Sequence, residues 1–161
     1  MKPQPETRDR YREFVTITTR WMDNDVYHHL NNVVYYSFFD TAVNLYMVRA
    51  GVLDIETSRI VCLVAATSCD YFSPIAFPDI VHCGLRVAHL GTSSVRYGIG
   101  VFRNDERSAA AQGAFVHVAC DRATQRPVPM PAAMRAALEK LRVHPPGAPC
   151  HPSSSKEGKN A

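Results

Sequence analysis

The alternation of apolar and polar positions along the chain predicts one strand, one long helix, four further strands and a short second helix. Residues 13–20, EFVTITTR, alternate and are rich in β-branched residues, which favours a strand. From Asn31 or Asn32 to Ala50 the apolar residues recur at helical spacing and leave only a narrow polar face. Asn31 is typical of an N-cap and Gly51 of a helix terminator. A helix this apolar is expected to be covered by other structure.

After the long helix, apolar runs indicate strands at approximately residues 59–72, 79–90, 93–104 and 108–121. Turn-forming residues separate them, so the pattern predicts an antiparallel sheet built of consecutive hairpins. A short amphipathic helix, residues 131–142, follows the last strand. One long apolar helix beside a single antiparallel sheet is an α+β layout.

The two ends of the chain differ in composition from the part between them. Residues 1–12 are mostly polar, which predicts a flexible N-terminal arm. Residues 143–161 hold four prolines, two glycines and three consecutive serines, which predicts a disordered tail. The segment between them, residues 13–142, has a length typical of one domain.

Composition and charge exclude several classes of function. A net charge of +3 is too small for a typical nucleic-acid-binding protein, and no apolar run approaches the roughly 20 residues of a membrane span. The start, MKPQPETRDR, lacks the apolar stretch of a secretory signal. The five cysteines are odd in number and show neither a CxxC pair nor the spacing of metal ligands. These features predict a cytoplasmic protein whose cysteines serve as small apolar residues.

The segment richest in residues that could take part in catalysis runs from Arg20 to Tyr35, RWMDNDVYHHLNNVVY. It places two carboxylates and two histidines in a loop that leads directly into the long helix. The first amides of a helix have no partner within it, so they would stabilise a carbonyl oxygen that gains negative charge. A carboxylate held nearby could attack that carbonyl or activate a water. The spacing alone equally fits a loop in which these residues are only structural.

Four short motifs occur in order along the chain. The first, D-x-D-x3-H-[VL]-N-N-x2-Y followed by F-[DE], contains Asp23, Asp25, His29, Leu30, Asn31, Asn32, Tyr35, Phe39 and Asp40. The others contain Asp70, Tyr71 and Pro74; Leu90, Gly91, Ser93 and Ser94; and Arg126, Pro127, Pro129 and Pro131. Together these motifs resemble the hot-dog-fold thioesterases of the 4-hydroxybenzoyl-CoA thioesterase family over residues 13–142. The resemblance implies a hot-dog fold, in which an antiparallel sheet wraps around one long central helix.

The resemblance also implies an activity: hydrolysis of an acyl-CoA thioester to a free acid and CoA, without a metal or cofactor. It implies that Asp25 is the catalytic carboxylate, as general base or as nucleophile, and that the backbone N–H of Asn32, with that of Val33, binds the carbonyl. His29 matches a histidine of plant acyl-ACP thioesterases and either orients the catalytic loop or caps it. Because the family's site lies between subunits, a homodimer or homotetramer is implied.

Other residues are candidates for substrate binding. Tyr27 and Tyr35 either line the acyl pocket or pack in the core. The resemblance implies that CoA passes a segment that composition alone predicts only as a hairpin turn, namely Gly91, Thr92, Ser93 and Ser94. Three strand arginines either meet the CoA phosphates or are only solvated: Arg86, Arg96 and Arg103.

Two further carboxylates have structural alternatives. Asp23 is expected to pair with Arg20. Asp40, on the polar side of the long helix, either is buried and hydrogen-bonded or is the catalytic carboxylate, as in a related hot-dog subfamily. The chain departs from its relatives at Tyr27, where the plant enzymes carry Asn, and at His28, where many relatives carry Gly.

Three rival functions are compatible with the same fold. The first is a thioesterase acting on acyl carrier protein instead of CoA. The second is a non-hydrolytic acyl-CoA-binding protein, which the retained carboxylate disfavours. The third is a dehydratase of 3-hydroxyacyl thioesters, whose usual His and Asp/Glu arrangement on the central helix is not evident in this chain.

Overall fold

A computed structural model describes residues 3–143. The elements are β1 (Glu13–Thr18), α1 (Asn32–Arg49), β2 (Ile60–Tyr71), β3 (Ile80–Leu90), β4 (Ser94–Arg103), β5 (Ala111–Asp121) and α2 (Ala132–Glu139). Every predicted strand and helix is present, most of them slightly shorter than expected, and the α+β layout is confirmed. The predicted tail lies outside the described residues from position 144 onwards.

The five strands form one antiparallel sheet in the order β1-β3-β4-β5-β2. The β3–β4 and β4–β5 connections are hairpins, as predicted. The expectation of a hairpin between β2 and β3 is wrong, because β2 pairs instead with β5 at the far edge of the sheet. Residues 72–79, which include Pro74 and Pro78, carry the chain from that edge across the end of the sheet to β3.

Helix α1 lies on one face of the sheet and supplies much of the core. Its buried side chains are Tyr35, Phe38, Phe39, Ala42, Val43 and Met47. The helix approaches β5 closely at Gly113, where a Cβ atom would lie 2.7 Å from the Phe39 ring. The ring of Tyr35 meets that of Tyr71, the last residue of β2, edge to face. The start of α1 therefore lies at the end of the sheet where β2 stops.

The N-terminal segment covers part of the opposite sheet face. The predicted flexible arm spans residues 1–12, and the structure places part of that segment in contact with the sheet. The Tyr11 ring is buried over Gly84 and Gly100, where Cβ atoms would lie 2.7 and 2.6 Å from it. The Tyr11 hydroxyl donates to Glu6 at 2.8 Å. Two strand glycines thus leave room for an aromatic ring, a packing detail that the polar composition of the segment does not reveal.

Candidate active site

The loop between β1 and α1, residues 20–31 (the Asp25 loop), is held at both ends. The Asp23 carboxylate is 2% exposed and accepts hydrogen bonds from the Arg20 backbone N–H at 2.7 Å and from its guanidinium at 2.8 and 3.1 Å. The Asp23 carbonyl accepts the N–H of Asn31 at 3.0 Å. The predicted pairing of Asp23 with Arg20 is confirmed, and it anchors the loop against the start of α1.

Between these anchors, Asp25 begins a tight turn. Its N–H donates to the His29 carbonyl at 2.8 Å, and its own carbonyl accepts the His28 N–H at 3.1 Å. Carboxylate oxygen Oδ1 accepts the N–H of Tyr27 at 2.8 Å and that of His29 at 3.4 Å. Oxygen Oδ2 receives no hydrogen bond from the described residues. One oxygen therefore orients the half-buried carboxylate, and the other is available for chemistry.

The start of α1 offers one amide. As predicted, Asn31 is the N-cap: its side chain accepts the N–H of Val33 at 3.1 Å, and its carbonyl accepts that of Val34 at 2.9 Å. The N–H of Asn32 has no partner among residues 3–143. The helix dipole adds partial positive charge at this amide. Asn32, and not Val33, thus supplies the unpaired donor that could bind a carbonyl oxygen.

A cleft of about 470 Å³ joins these groups. It is lined by Asp25, His29, Leu30, Asn32, Tyr35, Tyr71, Phe72, Ser73 and Pro74. The rings of Tyr35 and Tyr71 lie 5.0 Å apart at 87°. Burial raises the pKa of Tyr35 to about 12, so its hydroxyl remains neutral at physiological pH. The structure therefore brings Asp25, His29, Asn32 and Tyr35 together at one site.

Sequence reasoning missed the far wall of this cleft, which comes from the end of β2 and the connection that follows it. Tyr71 and Pro74 belong to one of the motifs noted above, and that motif was the available signal. Its place in the site depends on β2 ending beside the start of α1, which is a tertiary contact. Phe72 and Ser73 carry no signal of their own.

Two predicted binding residues lie outside the cleft wall. Tyr27 is 77% exposed on the Asp25 loop, and Val33 is exposed on the first turn of α1. Asp40 also lies on the exposed side of α1 and does not line the cleft; partial burial raises the pKa of its carboxyl.

The turn at residues 91–94 lies at the opposite end of the sheet. Ser94 pairs with Val118, and Val118 pairs with Leu63 near the start of β2, whereas the cleft adjoins Tyr71 at its end. At about 3.3 Å per strand residue, these two ends are separated by roughly 25 Å. One chain therefore does not bring residues 91–94 to Asp25.

The arginines proposed for phosphate binding have different surroundings. Arg86 pairs with Glu6 at 2.9 Å, and Arg103 pairs with Glu106. The side chain of Arg96 is exposed and makes no hydrogen bond or ion pair with the described residues. Arg96 is thus the one of the three whose guanidinium is not already engaged within residues 3–143.

Three of the cysteines in the described part of the chain are not placed as nucleophiles. Burial raises the pKa of the Cys62 and Cys69 thiols to about 11 and that of Cys83 to about 12, so these thiols remain protonated. Among residues 3–143, no group of three or more His, Cys, Asp or Glu side chains is arranged to hold a metal ion. In the same range, neither helix is long and apolar enough to cross a membrane.

A five-stranded antiparallel sheet packed on one long helix, with a carboxylate and a free helix amide in one cleft, defines a hot-dog thioesterase. The sequence model of the Thioesterase-like superfamily matches residues 19–138, and the chain belongs to that family. It is therefore a thioester hydrolase. A search of curated protein sequences found no match.

Several solved structures are similar. The PA5185 protein from Pseudomonas aeruginosa strain PAO1 is 51% identical, with a TM-score of 0.84 over 87% of this chain and 97% of that chain. A thioesterase from Thermus thermophilus, complexed with coenzyme A and Zn, is 34% identical, with a TM-score of 0.67 over 81% and 95%. The 1,4-dihydroxy-2-naphthoyl-CoA thioesterase Slr0204 from Synechocystis, at 13% identity and a TM-score of 0.71 over 80% and 96%, shares the fold.

Proposed function

We propose that this protein hydrolyses acyl-CoA thioesters, with Asp25 as the catalytic carboxylate and the Asn32 N–H as carbonyl donor. The observation that carries the proposal is that Asp25, whose Oδ2 accepts no hydrogen bond from the described residues, and Asn32, whose N–H has no partner among them, line one cleft. The coenzyme A complex of the Thermus thermophilus thioesterase supports CoA as the thiol half of the substrate. The free thiols of Cys62 and Cys69 support a reducing, cytoplasmic location.

The geometry fits two routes of hydrolysis. In the first, Oδ2 of Asp25 takes a proton from a water as that water attacks the carbonyl, and CoA leaves as the thiol after reprotonation. In the second, Oδ2 attacks the carbonyl itself, CoA thiolate leaves, and water then hydrolyses the acyl–aspartyl anhydride to acid and free carboxylate. In both routes the carbonyl oxygen gains negative charge, which the Asn32 N–H stabilises.

The proposed site is completed by a second copy of the chain. Strand β2 is the longer of the two edge strands of the sheet, twelve residues long, and its Leu63 and Val64 are 43% and 49% exposed. A long, apolar, unpaired edge is a template for pairing with another strand. Antiparallel pairing of two β2 strands would place the start of one beside the end of the other. Residues 91–94 of one copy would then approach the cleft of its partner, which argues for a homodimer.

The central test is Asp25→Asn. The amide keeps an oxygen that can accept the Tyr27 N–H, so the loop should hold its shape while the base or nucleophile is lost. Thiol release from a panel of acyl-CoAs should fall at least about a hundredfold. Asp40→Asn is the matched control and should retain most activity. Wild-type turnover by Asp25→Asn, or equal losses in both variants, would refute the assignment.

A further inference from the structure

The turn at residues 91–94 (the donor turn) has all of its carbonyls engaged. The Gly91 carbonyl accepts a hydrogen bond from the guanidinium of Arg135 on α2. The Thr92 carbonyl accepts the Met130 N–H at 2.9 Å and the same guanidinium at 3.3 Å. The Ser93 carbonyl accepts the Ala119 N–H at 2.7 Å. No carbonyl oxygen of Gly91, Thr92 or Ser93 is left without a donor.

Most hydrogen-bond donors of the same turn, unlike its carbonyls, have no partner among the described residues. Within residues 3–143, the N–H groups of Thr92 and Ser93 have no partner, and neither do the hydroxyls of Thr92, Ser93 and Ser94. The Nε and second terminal nitrogen of Arg135 are also unpaired there. Gly91 contributes by its size, because a Cβ atom at that position would lie 2.8 Å from Oγ of Ser94. The turn thus offers several donors beside one positive charge.

A phosphate group matches this arrangement, because it is negatively charged and its unprotonated oxygens only accept hydrogen bonds. The carbonyls would repel a phosphate if they faced it, and Arg135 holds two of them. We propose that Arg135 is a positioning residue that fixes the donor turn so that its N–H and O–H groups bind the phosphates of CoA. This proposal rests on the proposed acyl-CoA substrate and on the homodimer, which brings the turn to the partner's cleft.

The experiment compares two thioesters of the same acyl group, one with CoA and one with N-acetylcysteamine, which lacks the nucleotide and all phosphates. In Arg135→Gln, we expect KM for the CoA thioester to rise about tenfold, while kcat and the KM for the short thioester change less than twofold. Lys140→Gln removes one charge from an exposed position just after the same helix and should change neither KM. A general loss of structure would alter both substrates.

Equal changes for the two thioesters, or no change with either, would overturn the proposal. Calorimetric binding of free CoA and of pantetheine makes the test independent of hydrolysis. Arg135→Gln should weaken CoA binding about tenfold and leave pantetheine binding unchanged. A wild-type protein that binds CoA but hydrolyses no acyl-CoA would refute the proposed function and leave this inference standing. Identical CoA affinity in wild type and variant would refute the inference alone.

Discussion

The Asp25 loop, together with the start of α1 that follows it, and the donor turn lie at opposite ends of one sheet, and each of these two regions presents an unpaired backbone N–H. They differ in what accompanies those donors. The Asp25 loop adds a carboxylate with one oxygen tied down and one available. The donor turn adds a guanidinium and has no free carbonyl among its first three residues. A donor beside an acceptor can carry out chemistry on a carbonyl, whereas donors alone can bind an anion. The proposed substrate needs both, since its reacting carbonyl and its phosphates are far apart.

The largest effect should come from dissociating the proposed homodimer, which would separate the Asp25 loop of one copy from the donor turn of the other. Ala66 is exposed near the middle of β2, so antiparallel pairing of two β2 strands would bring the two copies of this residue close together. In Ala66→Lys, two like charges would meet there, and we expect the dimer dissociation constant to rise at least about a hundredfold. Acyl-CoA turnover should fall with the dimer fraction. Sedimentation velocity and thiol release on the same samples measure both.

Ala88→Lys is the matched control, because Ala88 is an exposed alanine in the bulge of β3, and β3 is an inner strand of the sheet that cannot pair with a second copy. This variant should keep the dimer and its activity. An Ala66→Lys protein that is fully active as a monomer would show that the two regions do not cooperate between copies.

A second prediction concerns the sheet that joins the two regions. His117 on β5 is 2% exposed, and its Nε2 has no hydrogen-bond partner. Burial lowers the pKa of His117 to about 4. Because the unfolded chain binds a proton near pH 6.5 and the folded chain does not, stability is lost as pH falls from about 6.5 towards 4. At pH 4 the loss should reach about 3 kcal/mol.

Denaturant unfolding of wild type and His117→Leu between pH 7 and pH 4 measures this contribution. The stability of wild type relative to the variant should fall by about 3 kcal/mol over that range. Acid should also damage hydrolysis and CoA binding together, unlike Asp25→Asn or Arg135→Gln. A difference between the two proteins that is constant with pH would show that His117 does not titrate as its surroundings indicate.

The sequence predicts the helix start more fully than the sheet edge, and the reason is the range of the interactions. Asn31 caps α1 by accepting the N–H of Val33, two residues further on, so the local sequence is enough to predict its role. The choice of β5 as partner of β2 depends on contacts far apart in the chain, which the turn residues at Pro74 and Pro78 do not encode. Those two prolines predict a connection after β2, but they do not predict which strand pairs with β2.

In the candidate site, too, features set by the local sequence could be predicted, whereas those set by the folded structure could not. The motif with Asp25 and Asn32 predicts the carboxylate and the helix amide, and both residues line the cleft. The same motif does not show that Asn31 takes up the Val33 amide, because that depends on which first-turn N–H the cap side chain reaches. Nor does it show that Arg135 meets Gly91 and Thr92, because that contact joins α2 to a distant turn.

The smallest expected effect tests how the Asp25 loop keeps its shape. His28 has a φ of 63°, a left-handed conformation that is unfavourable for a residue with a Cβ atom. Glycine adopts this conformation without strain, which stabilises the folded chain, but it loses more chain entropy on folding. The relief of strain is the larger of the two effects, and His28→Gly should raise the free energy of unfolding by about 0.5 kcal/mol. The turn should persist, because its hydrogen bonds use the backbone and Asp25, and kcat should stay within about twofold.

His29→Gly is the control for this substitution, since His29 has no left-handed φ to relieve and should lose about 0.5–1 kcal/mol of stability. Chemical denaturation of the three proteins compares them directly. If His28→Gly is destabilised as much as His29→Gly, the His28 side chain contributes contacts that outweigh its strained backbone. The Asp25 loop would then depend on the side chain of His28, whereas the donor turn depends on the absence of a side chain at Gly91.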